Sequence, residues 1–278
     1  MEVLNTPNEI KFHSGKVPAL GLGTYELLNT ECIDAVVHAL DCGYRHIDTA
    51  RFYENEIAVG NGLKSSNIPR EKIFLTTKIW HTDLDKKSMT LAIEDSLKKL
   101  QVDYVDLLLI HWPSTNDDVT YKAVEFLEEL RHKEYCKFIG ASNFNITLLK
   151  KSLTLAPLVC NQIEYHPYLS QQKMLEFLHE NQLFLTAYCP LAQGAILQDP
   201  LIKEIARSHD RSANQIVLRW FIQQDGVSVI PKASKASHRI SNFDIWDFEL
   251  HADEMYAIFE LDKQKRLIDP TWSVDWST

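Results

Sequence analysis

Gly43-Tyr44-Arg45-His46-Ile47-Asp48-Thr49-Ala50-Arg51-Phe52-Tyr53 is the segment on which the fold turns. Arg45–Ile47 reads as a short strand, Asp48 follows its end, and Tyr53 comes just before a helix that starts near Glu54. The same arrangement recurs twice downstream: Lys78 ends the apolar run Phe74–Thr77, and His111 ends Val105–Ile110. A reactive side chain thus stands at the C-terminal end of each of three successive strands. A closed barrel brings such ends to one mouth, whereas an open doubly wound sheet gathers its functional residues near one switch point.

Outward from this segment, brief apolar strands alternate with polar turns and amphipathic helices. The other strand candidates are Ala19–Leu22, Phe138–Ala141, Val159–Ile163, Phe184–Ala187 and Ser228–Ile230. Between them, stripes such as Cys32-Ile33-Val36-Val37-Leu40 and Leu91-Ile93-Leu97-Leu100 repeat every three or four residues, the period of a helix with one buried face. Thr30-Glu31, Ser170 and Ser212 read as helix starts. Ile10–Phe12 and Lys16–Pro18 flank a Ser14-Gly15 turn and predict a short leading hairpin. No linker or composition shift interrupts the pattern. The expectation is α/β: one (β/α)8 TIM barrel domain over residues 1–278 with an N-terminal β-hairpin.

The composition narrows the function. The formal charge is −9 and the pI about 5.7, with no basic run, so nucleic acid is not an expected partner. Five cysteines, Cys32, Cys42, Cys136, Cys160 and Cys189, form no CxxC pair, so neither a disulfide framework nor a metal site is expected. Met1–Asn8 lacks a basic start followed by an apolar stretch, and no apolar run approaches the roughly 20 residues of a membrane span. No membrane partner and a cytoplasmic location are expected.

Each of the four rim residues has an ordinary structural role open to it. Asp48 could cap a helix, Tyr53 could pack as a half-buried aromatic, and His111 could be a hydrogen-bonded structural histidine. Lys78, on the end of an apolar strand, must find a partner. Four such coincidences at one rim are improbable, and the combination favours chemistry.

At this point the chain resembles the aldo-keto reductase superfamily, and within it the microbial 2,5-diketo-D-gluconate reductase-like branch. The likeness rests on Gly43–Ala50 with Tyr53, Asn55-Glu56 and Val59-Gly60, on Thr76-Thr77-Lys78, and on Ile110-His111-Trp112-Pro113. Gly140–Phe144, Asn161-Gln162-Ile163-Glu164 and Ile230-Pro231-Lys232-Ala233 continue it in order, and Trp112–Asp118 and Arg266–Pro270 point to the branch. The resemblance implies a catalytic tetrad of Asp48, Tyr53, Lys78 and His111. A free phenol has a pKa of about 10, and an ammonium beside it lowers that value. Lys78 fits this role, with Asp48 holding it, Tyr53 as general acid and His111 orienting the carbonyl.

The resemblance also implies NADPH/NADP+ as cofactor, with NADH possible, although no GxGxxG is present. Gly23 and Thr24 of Gly21-Leu22-Gly23-Thr24 would lie close to the dinucleotide, together with Asp48. Ser142, Asn143 and Gln162 would bind the carboxamide, Tyr188 would stack on the nicotinamide, and Leu191 and Gly194 would cover the pyrophosphate. Lys232, Ser234, His238, Arg239 and Asn242 would surround the 2′-phosphate. Three departures weaken that last set: Ala233 where the family often has Ser, His238 where it often has Arg, and Ser241 where it often has Glu. Trp80 and Trp112 are expected to wall the pocket for a small-molecule carbonyl substrate, beside Tyr53 and His111. Trp272 and Trp276 could close the pocket or simply pack on the surface. A monomer is the family-based expectation. The alternative is a barrel that binds nucleotide without catalysis, as a sensor or structural subunit.

Overall fold

The computed structural model describes residues 9–276. A hairpin of β1 (Glu9–Phe12) and β2 (Gly15–Pro18) comes first, with Phe12 opposite Gly15, so the turn is His13-Ser14, one residue earlier than the sequence suggests. Eight parallel strands follow: β3 (Leu22–Gly23), β4 (His46–Asp48), β5 (Phe74–Ile79), β6 (Val105–Ile110), β7 (Cys136–Ser142), β8 (Cys160–Glu164), β9 (Phe184–Tyr188) and β10 (Val227–Val229). They pair in sequence order from β3 to β10. The edges then meet. Val229 N–H donates to Ala19 O at 2.8 Å, Gly21 N–H to Val229 O at 2.8 Å, and Gly23 N–H to Pro231 O at 3.2 Å. The sheet is therefore closed, and the (β/α)8 barrel with its N-terminal hairpin is the architecture.

The helices wrap the outside: α1 (Asn29–Cys42), α2 (Glu56–Ser65), α3 (Lys86–Leu100), α4 (Asp117–His132), α5 (Ile146–Ser152), α6 (Gln172–Glu180), α7 (Pro200–Ser208), α8 (Ala213–Ile222), α9 (Ala236–Phe243) and α10 (Ala252–Phe259). Their apolar stripes form one continuous core against the strands. Starts and stops follow local chemistry. Asp85 accepts from the N–H groups of Lys87 and Ser88 at the head of α3. Ser212 and Gln215 make a reciprocal capping box on α8. Thr30-Glu31 fall in the first turn of α1, behind Leu28 at the cap, whereas Gln171 rather than Ser170 holds the cap position of α6. Gly43 ends α1 at φ 109°, a left-handed conformation that a side chain resists.

A second, smaller apolar cluster of Phe12, Val17, Phe74, Leu107, Leu109, Val159, Cys160 and Phe184 fills the lower barrel. Phe12 of the hairpin packs edge-on against Phe138 at 5.0 Å and tilted against Phe184 at 5.1 Å, which stoppers the N-terminal end. The cleft that carries the strand-end residues opens at the opposite, C-terminal mouth.

Candidate active site

Asp48 is the last residue of β4, and Lys78 lies within β5 rather than just past it. Both are about 1% exposed. Lys78 Nζ donates to Asp48 Oδ1 at 2.6 Å and to Thr49 O at 2.8 Å, and it approaches Tyr53 Oη at 3.3 Å. Asp48 Oδ2 accepts from Gln162 Nε2 at 2.7 Å, so this carboxylate is spent on the site and caps no helix. Tyr53 ends a 3-10 turn, Arg51–Tyr53, and α2 begins three residues later than Tyr53, at Glu56. The His111 ring meets Tyr53 edge-on at 5.6 Å, and its buried Nδ1 has no hydrogen-bond partner among the described residues. The structure thus brings Asp48, Tyr53, Lys78 and His111 to one point at the mouth.

A polar frame holds them. Thr24 Oγ1 donates to Asp48 O at 3.0 Å, Thr49 Oγ1 to Asn55 Oδ1 at 2.9 Å, and Asn55 Nδ2 to Thr24 O and Leu27 O. Thr77 Oγ1 donates to the buried Glu56 at 2.7 Å.

Burial governs the electrostatics. It pushes the Lys78 ammonium down and the Asp48 carboxyl up, and each partner pulls the other back across their short contact. Burial, then the Lys78 and His81 charges, holds His111 well below the usual histidine value, so its imidazole is neutral. The Tyr53 phenol departs from the sequence expectation. Burial first, then the charge of Asp48, raises it well above the ordinary value instead of lowering it. Lys78 is itself paired with Asp48, and its nearness does not outweigh the burial of the phenol. Tyr53 therefore stays protonated, the form a proton donor needs.

A cleft of about 950 Å³ opens above these groups. Gly23, Thr24, Ser142, Asn143, Gln162, Tyr188, Leu191, Gly194 and Lys232 all line it, as do Trp80 and Trp112. Ser142 Oγ donates to Gln162 O at 2.8 Å, Asn143 Nδ2 to His111 O at 2.9 Å, and Tyr188 Oη to Asn143 Oδ1 at 2.8 Å. Gly23 is required by close approach: an added Cβ would lie 2.7 Å from Ile230 O. Gly194 has φ 90° and open space around it, in the turn Ala192–Gln198.

Ser234, His238, Arg239 and Asn242 stand outside this cleft lining. Lys232 and His238 are exposed. Arg239, however, is only 4% exposed. Its Nη1 donates to Ala233 O at 2.8 Å and Ser234 O at 2.7 Å, and its Nε to His38 Nδ1 at 3.3 Å. Asn242 Oδ1 accepts from Asn214. Arg239 is thus committed to shaping the loop that follows Lys232.

Sequence reasoning passed over part of the cleft. Tyr25, Phe52 and Leu267, Ile268, Asp269 and Pro270 also line it, together with Trp272, which the sequence left between two roles. Phe52 stacks on Trp80 at 3.9 Å, while Trp272 stacks on His81 at 4.2 Å and meets Trp80 and Trp112 edge-on. Trp272 therefore closes the cleft rather than packing on the surface. Its nearness to Trp80 comes from the return of the tail across the mouth, for which no local sequence signal exists.

Comparison with known proteins gives a consistent result. A sequence model described as the Aldo/keto reductase family matches residues 19–263. The methylglyoxal reductase DkgB of Yersinia pestis is 40% identical over 260 residues, 91% of this chain and 96% of that protein. A crystal structure assigned as a 2,5-diketo-D-gluconic acid reductase B superposes with a TM-score of 0.91 at 38% identity, covering 93% of each chain. A Gox0644 variant solved in complex with NADPH superposes with a TM-score of 0.87 at 36% identity, covering 93% of this chain and 94% of that one.

Proposed function

The chain belongs to the aldo/keto reductase family, and we propose that it uses NADPH to reduce small aldehydes, ketones or dicarbonyls to alcohols, methylglyoxal among them. One observation carries the reading. The Tyr53 hydroxyl lies 3.3 Å from a buried Lys78 ammonium that is itself held by Asp48 at 2.6 Å. As negative charge develops on the substrate oxygen, Tyr53 gives up its proton and Lys78 stabilises the phenolate left behind. His111, neutral through burial, donates a hydrogen bond that orients the same oxygen. Gln162 fixes the far side of Asp48 and so keeps Lys78 aimed.

The cleft suits a pyridine nucleotide at both ends. Asn143 and Gln162 offer amides beside the flat Tyr188 ring, and Lys232 is an exposed cation without an ion pair among the described residues. When bound, NADPH supplies the hydride. Ser142, Asn143 and Gln162 would then read its carboxamide, Tyr188 would fix the reacting face, and Gly23, Thr24, Leu191 and Gly194 would enclose its backbone. Lys232 would answer the 2′-phosphate, with Ser234, Asn242 and an exposed His238 around it and Arg239 as the brace of that loop. Trp80 and Trp112 would wall the substrate.

The whole chain serves as one catalytic domain and acts as a monomer in the cytoplasm, where NADPH is maintained and five free cysteines stay reduced. Among the described residues no helix is long and apolar enough to cross a membrane. The deciding experiment is NADPH oxidation with methylglyoxal, diketogluconates, ketoesters, benzaldehydes and aldoses. Turnover of at least one dicarbonyl or aldehyde is expected. A protein that binds NADPH but turns over none of them would be a nucleotide-binding barrel without catalysis.

A further inference from the structure

Glu164 ends β8 at the barrel mouth and is fully buried, yet the reduction chemistry gives it no task. A buried carboxylate must be satisfied, because leaving its charge unpaired costs several kcal/mol. Its partners are distinctive. Oε1 accepts from the backbone N–H of Leu267 at 2.7 Å, and Oε2 from that of Ile268 at 2.9 Å. His166 Nε2 lies 3.0 Å from Oε1, and Arg266 Nη1 is 3.9 Å from Oε2. Two successive backbone donors converging on one anion make a small nest. Here the nest belongs to the C-terminal tail and the anion to the barrel.

The tail beyond this clasp is held along its length. Arg266 lies over the Trp276 ring at 3.7 Å, and Asn145 Nδ2 donates to Asp275 O at 2.9 Å. Between these points Trp272 is carried over the cleft, where it packs on His81, Trp80 and Trp112. The clasp fixes where the tail leaves the barrel, so it also bears on how far Trp272 reaches over the cleft that Tyr53 and His111 line.

We propose that Glu164 is a positioning residue for substrate selection: its carboxylate clasps the Leu267 and Ile268 amides and thereby sets Trp272 as the outer wall of the substrate pocket. The proposal rests on the carbonyl-reductase reading above. Substrates large enough to touch Trp272 depend on the clasp, whereas a three-carbon dicarbonyl does not reach it. The neutral amide of Glu164→Gln offers one acceptor oxygen where two are needed, and it turns an NH2 toward a backbone N–H.

The test uses the full-length enzyme with NADPH, comparing 4-nitrobenzaldehyde with methylglyoxal. Glu164→Gln should raise KM for 4-nitrobenzaldehyde about three- to tenfold, the worth of one aromatic contact, with a smaller change for methylglyoxal and for NADPH affinity. Trp272→Leu, on the tail itself, should give the same ratio of KM values, and the double variant should add nothing to either single one. Hydrogen exchange at Leu267 and Ile268 should quicken in Glu164→Gln without any substrate present. Equal losses for both aldehydes, additive effects in the double variant, or unchanged exchange would each overturn the proposal. The exchange result stands apart from turnover. A wild type that reduces no carbonyl would strike the functional reading, while the amides still decide the clasp.

Discussion

At the scale of single residues, Tyr53 carries the sharpest prediction. Tyr53→Phe removes only the hydroxyl near Lys78, so NADPH binding should persist while reduction falls by about 10²–10⁴-fold, the usual worth of a general acid. Near wild-type turnover would remove Tyr53 from the mechanism. Lys78→Met leaves Asp48 as an uncompensated charge beside the phenol, which already stands well above its ordinary value through burial and that same carboxylate. Losing the ammonium removes what steadies the phenolate, so the phenol should rise further. The rate should fall and the alkaline limb of the pH profile should move upward. An unchanged limb would mean that the 3.3 Å contact does not tune Tyr53. His111, held neutral by burial, should contribute no limb near the ordinary histidine value of about 6.5.

At the scale of elements, the proposed reading gives cofactor choice to the loop after β10. Lys232 is exposed and free of ion pairs among the described residues, whereas Arg239 spends its guanidinium on the carbonyls of Ala233 and Ser234. Lys232→Ala should therefore cost about 1.5–3 kcal/mol of NADPH affinity and leave NADH affinity nearly unchanged. A calorimetric titration with each nucleotide checks this, and equal losses for both would detach Lys232 from the 2′-phosphate. The start and stop of α1 illustrate a different kind of element-level control. Gly43 at φ 109° lets the chain turn toward β4, and an added Cβ would also lie 2.7 Å from Phe243 Cζ on α9. Gly43→Ala should cost about 1 kcal/mol or more in urea unfolding, because it meets both strain and a neighbour.

At the scale of the whole molecule, the barrel interior carries a cost that appears in acid. His46 is 1% exposed, and burial, reinforced by the charge of Lys78, lowers it to about 3. The unfolded chain takes up that proton at about pH 6.5. Between about 6.5 and 3 the unfolded state thus binds one more proton than the folded one. Stability is fully present above that window and falls as pH drops through it, by about 1.4 kcal/mol per pH unit. His46→Gln should remove this one-proton dependence, and urea unfolding between pH 4.5 and 6 measures the difference. Identical slopes in both proteins would show that His46 is not the titrating group.

The sequence by itself determined the alternation of strands and helices, because apolar periodicity is a local property that survives wherever the chain goes. It also determined the residue types at the strand ends, since Asp48, Lys78 and His111 each follow directly on an apolar run. Their convergence needed the closed barrel. Asp48, Lys78 and Gln162 lie on β4, β5 and β8, and only the parallel register and the joining of β3 to β10 set them within hydrogen-bond distance. The acidity of Tyr53 was likewise settled in three dimensions, because burial and a cation already spent on Asp48 have no signature along the chain. So was the tail. Glu164 and Leu267 are 103 residues apart, and what joins them is a backbone N–H, a group that every residue but proline carries and that no sequence pattern can mark.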